Sequence, residues 1–491
     1  MLAALMRGLN PRWPGEGTLT ISVLPFAVGP IVGTAGRTHI RILGVMPAGA
    51  LAAGRKAPHG RIRWRAVGEL HWRGPRHFRI NGNFDSSGVV VLRDLSPGTR
   101  YEYQAGYVER PDSADTQLDW HRLPLGHFRT APDDDRAPVS FLFGSCCYRF
   151  VGLDHEVEDD RADRIFEVMG RQTAERDTDF VLYAGDQVYA DATWKLGAAS
   201  SQQQYFDLYR QSFGQPNIRR LMANHNHHMI LDDHEIENNW PARANPDLWT
   251  SKYPAAMKAY QIYQASHSPA VPLNAAGSRL DRDPEQLWYR FRWGAADFFL
   301  MDLRTERALS RWPWQRNILS REQEQAVLAW LNDGPDRVKC LVSSVPLFPE
   351  QRWPFRGEDS WEGFRAQRQR LLDGIRASGA RRLLVLSGDV HASLYARLDG
   401  LGKAPLHAWI CSGLFWPTAL MAFRWYRPMI RDDHRLRGLW KPSLGKVRVP
   451  GRVYSRDAFS RVSLDEQGAR LELFDRDGEP VPDVGASIRW E

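Results

Sequence analysis

Val181-Leu182-Tyr183-Ala184-Gly185-Asp186-Gln187-Val188-Tyr189-Ala190-Asp191 is the stretch on which the fold turns. An apolar run from Phe180 to Tyr183 is cut off by a glycine and at once by an aspartate, the pattern of a buried strand that delivers a carboxylate at its carboxyl end. Four other apolar runs stop in the same way. They are Phe141-Leu142-Phe143-Gly144-Ser145-Cys146-Cys147, Met229-Ile230-Leu231-Asp232-Asp233-His234-Glu235, Phe298-Phe299-Leu300-Met301-Asp302-Leu303-Arg304 and Leu383-Leu384-Val385-Leu386-Ser387-Gly388-Asp389-Val390-His391. Apolar strands that each end on Cys, Asp, His or Tyr point to one polynuclear metal site gathered at the edge of a sheet.

Around these strands the 491 residues leave room for roughly three domains, or for one large domain with an appendage. The net charge of +7 comes from basic and acidic residues interspersed along the chain, so charge alone indicates no nucleic-acid partner, while a basic surface suits anionic substrates. The 19 tryptophans read as core and packing aromatics. Cys146 and Cys147 are adjacent, and with Cys340 and Cys411 they form no disulfide framework, which suits a reducing compartment. Met1 to Arg7 is too short an apolar run for a signal h-region, and no stretch reaches about 18 apolar residues. The expectation is therefore no membrane span and a cytoplasmic location.

Residues 18 to 130 alternate apolar and polar positions at Leu19-Ile21-Val23, Ile40-Ile42, Ile62-Trp64, Phe78-Ile80, Val89-Val91, Tyr101-Tyr103 and Phe128, with Pro/Gly turns between. That spacing predicts a small antiparallel sandwich. Leu95-Ser96-Pro97-Gly98-Thr99-Arg100-Tyr101-Glu102-Tyr103 resembles the turn-and-strand signature of fibronectin type III-like domains. The acidic, proline-flanked piece 131–138 reads as a linker, giving an accessory domain over 1–135 and a catalytic domain over 136–491. Beyond it, strands alternate with helical patterns over about 158–176, after a capping box Ser320/Gln323, and over about 360–378 with Gly379 as C-cap, which predicts an α/β domain. Phe459 to Ser463 and Ala469 to Phe474 read as a hairpin completing a sheet; 425–450 is basic and irregular, with no chemistry assigned to it.

A strand-end carboxylate such as Asp186 can bridge two cations roughly 3.5–4 Å apart, or simply cap a turn. Tyr189 follows it on the same turn, and a phenol with a pKa of about 10 becomes a ligand only for a strong Lewis acid. Cys146 offers a thiolate, or else fills space as a small hydrophobe. Four consecutive ionisable residues, Asp232 to Glu235, are expensive behind an apolar strand unless a cation meets them; the alternative is a solvated loop. Asp389 and His391 point the same way from an extended strand end.

Gly144-Ser145-Cys146, Gly185-Asp186-Gln187-Val188-Tyr189, Asp232-Asp233-His234-Glu235 and Gly388-Asp389-Val390-His391, in this order, resemble the PhoD-like alkaline phosphatases of the calcineurin-like metallophosphoesterase superfamily. The likeness spans about 139–425, and the N-terminal sandwich also resembles that family's accessory domain. It implies an α/β (α+β) fold, a two-sheet αββα metallophosphoesterase sandwich preceded by a small fibronectin type III-like β-sandwich. It further implies iron(III) held by Cys146, Asp186, Tyr189 and His391, calcium or another divalent ion held by Asp186, Asp233 and Asp389, and His234 assisting the leaving group. Arg304 and Asn239 are candidate phosphate contacts, the former against a structural ion pair with Asp302 or Glu306. The superfamily's further histidine has no match in Leu341-Val342-Ser343-Ser344-Val345-Pro346-Leu347. The implied activity is a metal-dependent phosphoester hydrolase in which a metal-bridging hydroxide attacks phosphorus in line. The alternative is a catalytically degenerate metallophosphatase-fold protein that acts as a binding module.

Overall fold

The computed structural model describes residues 20–50, 58–110, 114–148, 161–191, 198–242, 244–351, 358–416 and 430–490. In its N-terminal part, a three-stranded sheet of Val28–Ala35, Ile40–Val45 and Ser87–Leu92 faces a four-stranded sheet of Arg73–Arg79, His59–Ala66, Arg100–Val108 and Gly126–Arg129. Every pairing within these two sheets is antiparallel. Alternate residues such as Ile42, Val90, Ile62, Tyr101 and Phe128 turn inward to a shared core. Val28–Ala35 lacks the alternation of its neighbours, because two glycines and a proline give it the composition of a turn. Gly33 explains one of them: a Cβ there would lie 2.5 Å from the Cβ of His267, so only glycine lets that strand approach so closely. Leu19 lies outside the described residues.

Two larger sheets carry the rest. The first runs Asn226–Met229, Phe180–Tyr183, Val139–Gly144, Ala458–Leu464, Gly468–Asp475, Ala486–Arg489. Its first three strands are parallel, and the expected C-terminal hairpin joins Val139–Gly144 antiparallel. The second runs Tyr289–Trp293, Ala296–Leu300, Val338–Ser343, Leu383–Ser387, Leu406–Ile410, Leu394–Asp399, Gly445–Arg448, His434–Leu436. Part of the 425–450 segment thus forms edge strands; 417–429 lies outside the described residues.

Period-2 alternation sets the layers. Phe141, Phe143, Phe180 and Leu182 turn to the inner core, where Phe141 and Phe180 meet Phe298 edge-on at 5.6 and 5.5 Å. Leu142, Val181 and Met229 point the other way, under the helices Arg161–Glu175, Gln202–Gly214, Pro216–Asn224 and Lys252–Tyr263. On the far side Phe299, Leu341 and Val385 pack under Arg321–Asn332 and Arg365–Ser378. Each buried Phe or Leu contributes about 1.5–3 kcal/mol relative to exposure, so a one-residue slip of these strands is strongly disfavoured.

Helix ends follow local chemistry. Gly379 closes Arg365–Ser378 in the left-handed conformation at φ 69°. Ser320 caps Arg321–Asn332 through the Gln323 N–H, but the expected reciprocal bond is absent: the Gln323 amide donates to the Asp302 carbonyl and to Glu306. A complete capping box stands instead at Ser201/Gln204. No helix among the described residues is long and apolar enough to cross a membrane.

Candidate metal centre

The parallel strands of both sheets point their carboxyl ends at one place, and the chain there is forced into unusual backbone. Among the described residues, nine non-glycine positions have positive φ, and Cys146, Asp186, Asn239, Asp389 and His391 are five of them. Such conformations cost on the order of 1–3 kcal/mol each and persist only where the surroundings over-determine them. Glu235 provides much of that determination. Its buried carboxylate accepts the N–H groups of Asp186 at 3.1 Å, Gln187 at 2.8 Å and Asp232 at 3.0 Å, tying two strand-end loops together.

The side chains converge on Asp186. Its Oδ2 lies 3.3 Å from Cys146 Sγ and accepts from the Tyr189 hydroxyl at 3.2 Å, and that hydroxyl is 3.3 Å from His391 Nε2. Its Oδ1 accepts the His234 N–H at 3.3 Å. Donor atoms of Cys146, Asp186 and His391 lie within 4.8 Å of one another, as do those of Asp186, Asp233 and His234, and those of Asp186, Asp232, Asp233 and Asp389. The structure therefore brings together Cys146, Asp186, Tyr189, Asp233, His234, Asp389 and His391.

Burial dominates the electrostatics. It pushes the Cys146 thiol and the Tyr189 phenol well up, with the Asp186 charge adding to both. It also raises Asp186 well above the carboxylate range, against the opposing pull of His234. For Asp233, burial is outweighed by the Arg304 and His234 charges, and the carboxyl is held low. Burial alone would depress His234, yet the charges of Asp233 and Asp186 and the hydrogen bond with Asp191 raise it well above its ordinary value.

Arg304 is fully buried, and its guanidinium faces carboxylates rather than an open pocket. It contacts Asp232 and Asp359 at 2.5 Å each and Asp233 at 3.4 Å. The ion pair expected from the sequence, with Asp302 or Glu306, is thus replaced by three partners from other loops; Asp302 accepts only the backbone N–H of Arg304. Asn239 places its N–H 2.5 Å from Asp233 Oδ2, and its buried Oδ1 accepts no hydrogen bond among the described residues.

Several contributors escape a reading of the sequence. Asp191, five residues past Asp186, contacts Nδ1 of His234 at 2.7 Å, and its position on the same turn is the available signal. Ser344, at the turn where a histidine is sought, donates to Asp232 Oδ1 at 2.7 Å. Ser412 donates to Cys146 Sγ at 3.2 Å, and Trp416 stacks on His391; neither carries a sequence signal.

Residues 146–408, more than half of the chain, match the family described as PhoD-like phosphatase. The chain belongs to the PhoD-like phosphatase family. Alkaline phosphatase D of Bacillus subtilis (strain 168) is 26% identical over 308 residues, covering 57% of this chain and 50% of that protein. The chain thus spans half the length of the curated relative it matches. A solved structure of PhoD superposes with a TM-score of 0.69 at 17% identity, over 98% of this chain and 94% of that one, a likeness of fold. Cys146, Asp186, Tyr189, Asp233, His234, Asp389 and His391 all fall inside the stretch that matches the family.

Proposed function

We propose that the protein is a metal-dependent phosphoric ester hydrolase, a monoesterase or diesterase of the alkaline-phosphatase kind. The observation that carries this reading is the place of Asp186, whose carboxylate belongs to all three converging donor groups. The donors suit cations. Asp186, Asp232, Asp233 and Asp389 are all buried, and the Arg304 guanidinium beside Asp232 and Asp233 offsets only part of that charge, so the cluster is costly without a further positive partner. A buried thiol and phenol, both pushed up by burial, become anionic ligands only beside a strong Lewis acid.

By this reading Cys146, Asp186, Tyr189 and His391 would hold iron(III), and Asp186, Asp233 and Asp389 would hold calcium or another divalent ion. Bound there, such ions would supply positive charge for the phosphoryl oxygens and would acidify a water toward a pKa of about 7, the chemistry that phosphoester hydrolysis requires. His234 donates from Nε2 to the departing oxygen, while Asp191 holds the proton at Nδ1 and so fixes the tautomer. The ring is kept in place by stacking on Tyr189 at 4.2 Å. Asn239 would contact a phosphoryl oxygen or the second ion, a reading supported by its buried Oδ1, unpartnered among the described residues, and by its N–H on Asp233. Arg304 acts as a buried counter-charge to Asp232 and Asp233 rather than as a phosphate ligand. A binding module without turnover is not favoured, because every other expected donor stands in the cluster, the superfamily's further histidine alone having no counterpart at the Ser344 turn.

The two large facing sheets and their helices are read as the metallophosphoesterase sandwich over 136–491, and 1–135 as a fibronectin type III-like accessory domain. The test is elemental mass spectrometry of protein purified without added metal, beside Asp186→Ala, with hydrolysis of p-nitrophenyl phosphate and bis(p-nitrophenyl) phosphate. About one iron and at least one further divalent ion are expected per chain, lost in the variant together with turnover. Undiminished turnover in a folded Asp186→Ala protein would overturn the reading.

A further inference from the structure

The short segment 412–416 touches both ends of the Cys146 and His391 pair. The Ser412 hydroxyl accepts the His391 N–H at 2.8 Å and donates to Cys146 Sγ at 3.2 Å. Gly413 and Leu414 donate to the Ser145 carbonyl at 3.2 and 2.9 Å, and the Tyr148 N–H donates to the Phe415 carbonyl at 2.9 Å. Phe415 forms a parallel bridge with Cys147, and the Trp416 N–H donates to Asp457 Oδ1 at 2.9 Å. The indole is therefore mounted on a segment hydrogen-bonded to the one that carries the Cys146 thiol.

That indole lies flat on His391, with ring centroids 3.7 Å apart and planes 24° from parallel. Its other ring neighbours are Tyr148, edge-on at 5.3 Å, and Tyr189, tilted at 5.6 Å. Cys146, Tyr148 and Tyr189, with Trp416 packed against them, form a small cluster separate from the main cores. His391 itself sits at φ 49°, a conformation that needs outside support. A ring stacked this closely cannot rotate about its Cβ–Cγ bond without losing the stack, and so keeps Nε2 aimed at the Tyr189 oxygen 3.3 Å away.

We propose that Trp416 is a positioning residue: it clamps the His391 imidazole to the Cys146 loop, so that thiolate, phenolate and imidazole are presented to the iron in one fixed geometry. This rests on the reading of Cys146, Asp186, Tyr189 and His391 as iron ligands. Groups that orient a metal-bound histidine from behind typically account for 10–100-fold in metal affinity. A residue that merely covered the cluster would leave ligand geometry and iron retention unchanged when replaced by another apolar side chain of similar reach.

The experiment compares the unsubstituted protein with Trp416→Phe, Trp416→Leu and Trp416→Met. Each apo-protein is titrated with ferric iron, the visible thiolate and phenolate charge-transfer absorption is recorded, and the rate of iron loss to excess EDTA is measured. Trp416→Phe keeps a flat ring and is expected to match the unsubstituted band and to stay within about threefold of its rate. Trp416→Leu is expected to lose iron about 10–100-fold faster, with a shifted or weakened band. Should the Leu variant not fold by circular dichroism, Trp416→Met carries the same comparison. A folded Leu or Met variant with an unchanged band and rate overturns the proposal. Cys146→Ala, with Trp416 in place, is expected to lose the thiolate part of the band. An unsubstituted protein that takes up no iron overturns instead the ligand reading on which the proposal rests.

Discussion

Asp191 Oδ1 and His234 Nδ1 are 2.7 Å apart, and the second oxygen of Asp191 accepts the Asn238 N–H at 2.6 Å. Burial would raise the Asp191 carboxyl, but the hydrogen bond and charge of His234 outweigh it and hold the carboxyl below its usual value. It is thus an ionised acceptor, and the proton on that side of the ring stays at Nδ1. In the proposed mechanism that leaves Nε2 for the departing oxygen. Asp191→Asn keeps the size and loses the charge. Turnover of an alkyl phosphate is expected to fall about 10²–10³-fold, whereas p-nitrophenolate leaves without needing a proton and its release should fall less than about tenfold. Steady-state rates on both substrates check this, and equal losses on the two would remove the acid role.

The Arg304 guanidinium meets Asp232, Asp233 and Asp359 in full burial. Removing one partner of such a group leaves uncompensated charge and costs about 3–5 kcal/mol. Arg304→Met should lower urea stability by that order, and adding Asp232→Asn should restore part of the loss, because it removes one of the stranded carboxylates. A double-mutant cycle gives the coupling; strictly additive losses would contradict a shared charge network.

How much of this is legible in the sequence depends on how far each feature reaches along the chain. The strand ends at Cys146, Asp186 and Asp389 can be read because a buried strand announces itself by a run of apolar residues, and its end by the first polar ligand type. The strand before Asp233 is displaced from its apolar run, being Asn-His-His-Met over Asn226–Met229 with Ile230-Leu231 beyond it. Val28–Ala35 cannot, since its Gly-Pro-Ile-Val-Gly composition imitates a turn, and the packing partner that demands glycine, His267, lies more than 200 residues away. Gln323 reads locally as half of a capping box, but its amide finds Asp302 and Glu306 across space. Arg304 is legible as an ion pair and not as this one, because its three carboxylates come from two distant loops. Glu235 carries no mark of its own work, since nothing in Asp-Asp-His-Glu distinguishes a carboxylate that faces a cation from one that faces three N–H groups.

His228 is wholly buried on the strand Asn226–Met229, stacked on Phe291 at 3.7 Å. Neither ring nitrogen finds a hydrogen-bond partner among the described residues. Burial, with the nearby His267 adding to it, pushes its pKa down to about 3. Because the folded value lies below the unfolded one, the unfolded state binds the extra proton between about pH 6.5 and 3. Stability is complete above that window and is lost as the pH falls through it. His228→Phe preserves the ring and removes the titration. The stability lost between pH 8 and pH 5 should shrink by about 2 kcal/mol in the variant, as measured by urea unfolding at the two pH values. An unchanged loss would show that His228 does not carry this part of the acid sensitivity.

Two glycines separate what the site demands from what the chain merely tolerates. Gly185 holds φ 97°, and a Cβ there would lie 2.4 Å from the Asp232 Cβ and 3.1 Å from its nitrogen. Alanine at 185 therefore forces a strained backbone and pushes apart the two loops that Glu235 ties, at a cost of about 2 kcal/mol or more. Gly170 lies within the helix Arg161–Glu175, where an added Cβ meets nothing within 4 Å, so alanine there should stabilise by about 0.5–1 kcal/mol. Urea unfolding of the two variants is expected to move in opposite directions, and Gly185→Ala alone should lose bound metal. Gly185→Ala unfolding at the same urea concentration as Gly170→Ala would mean that the turn delivering Asp186 is free to relax, and that its left-handed geometry is not what holds the carboxylate in place.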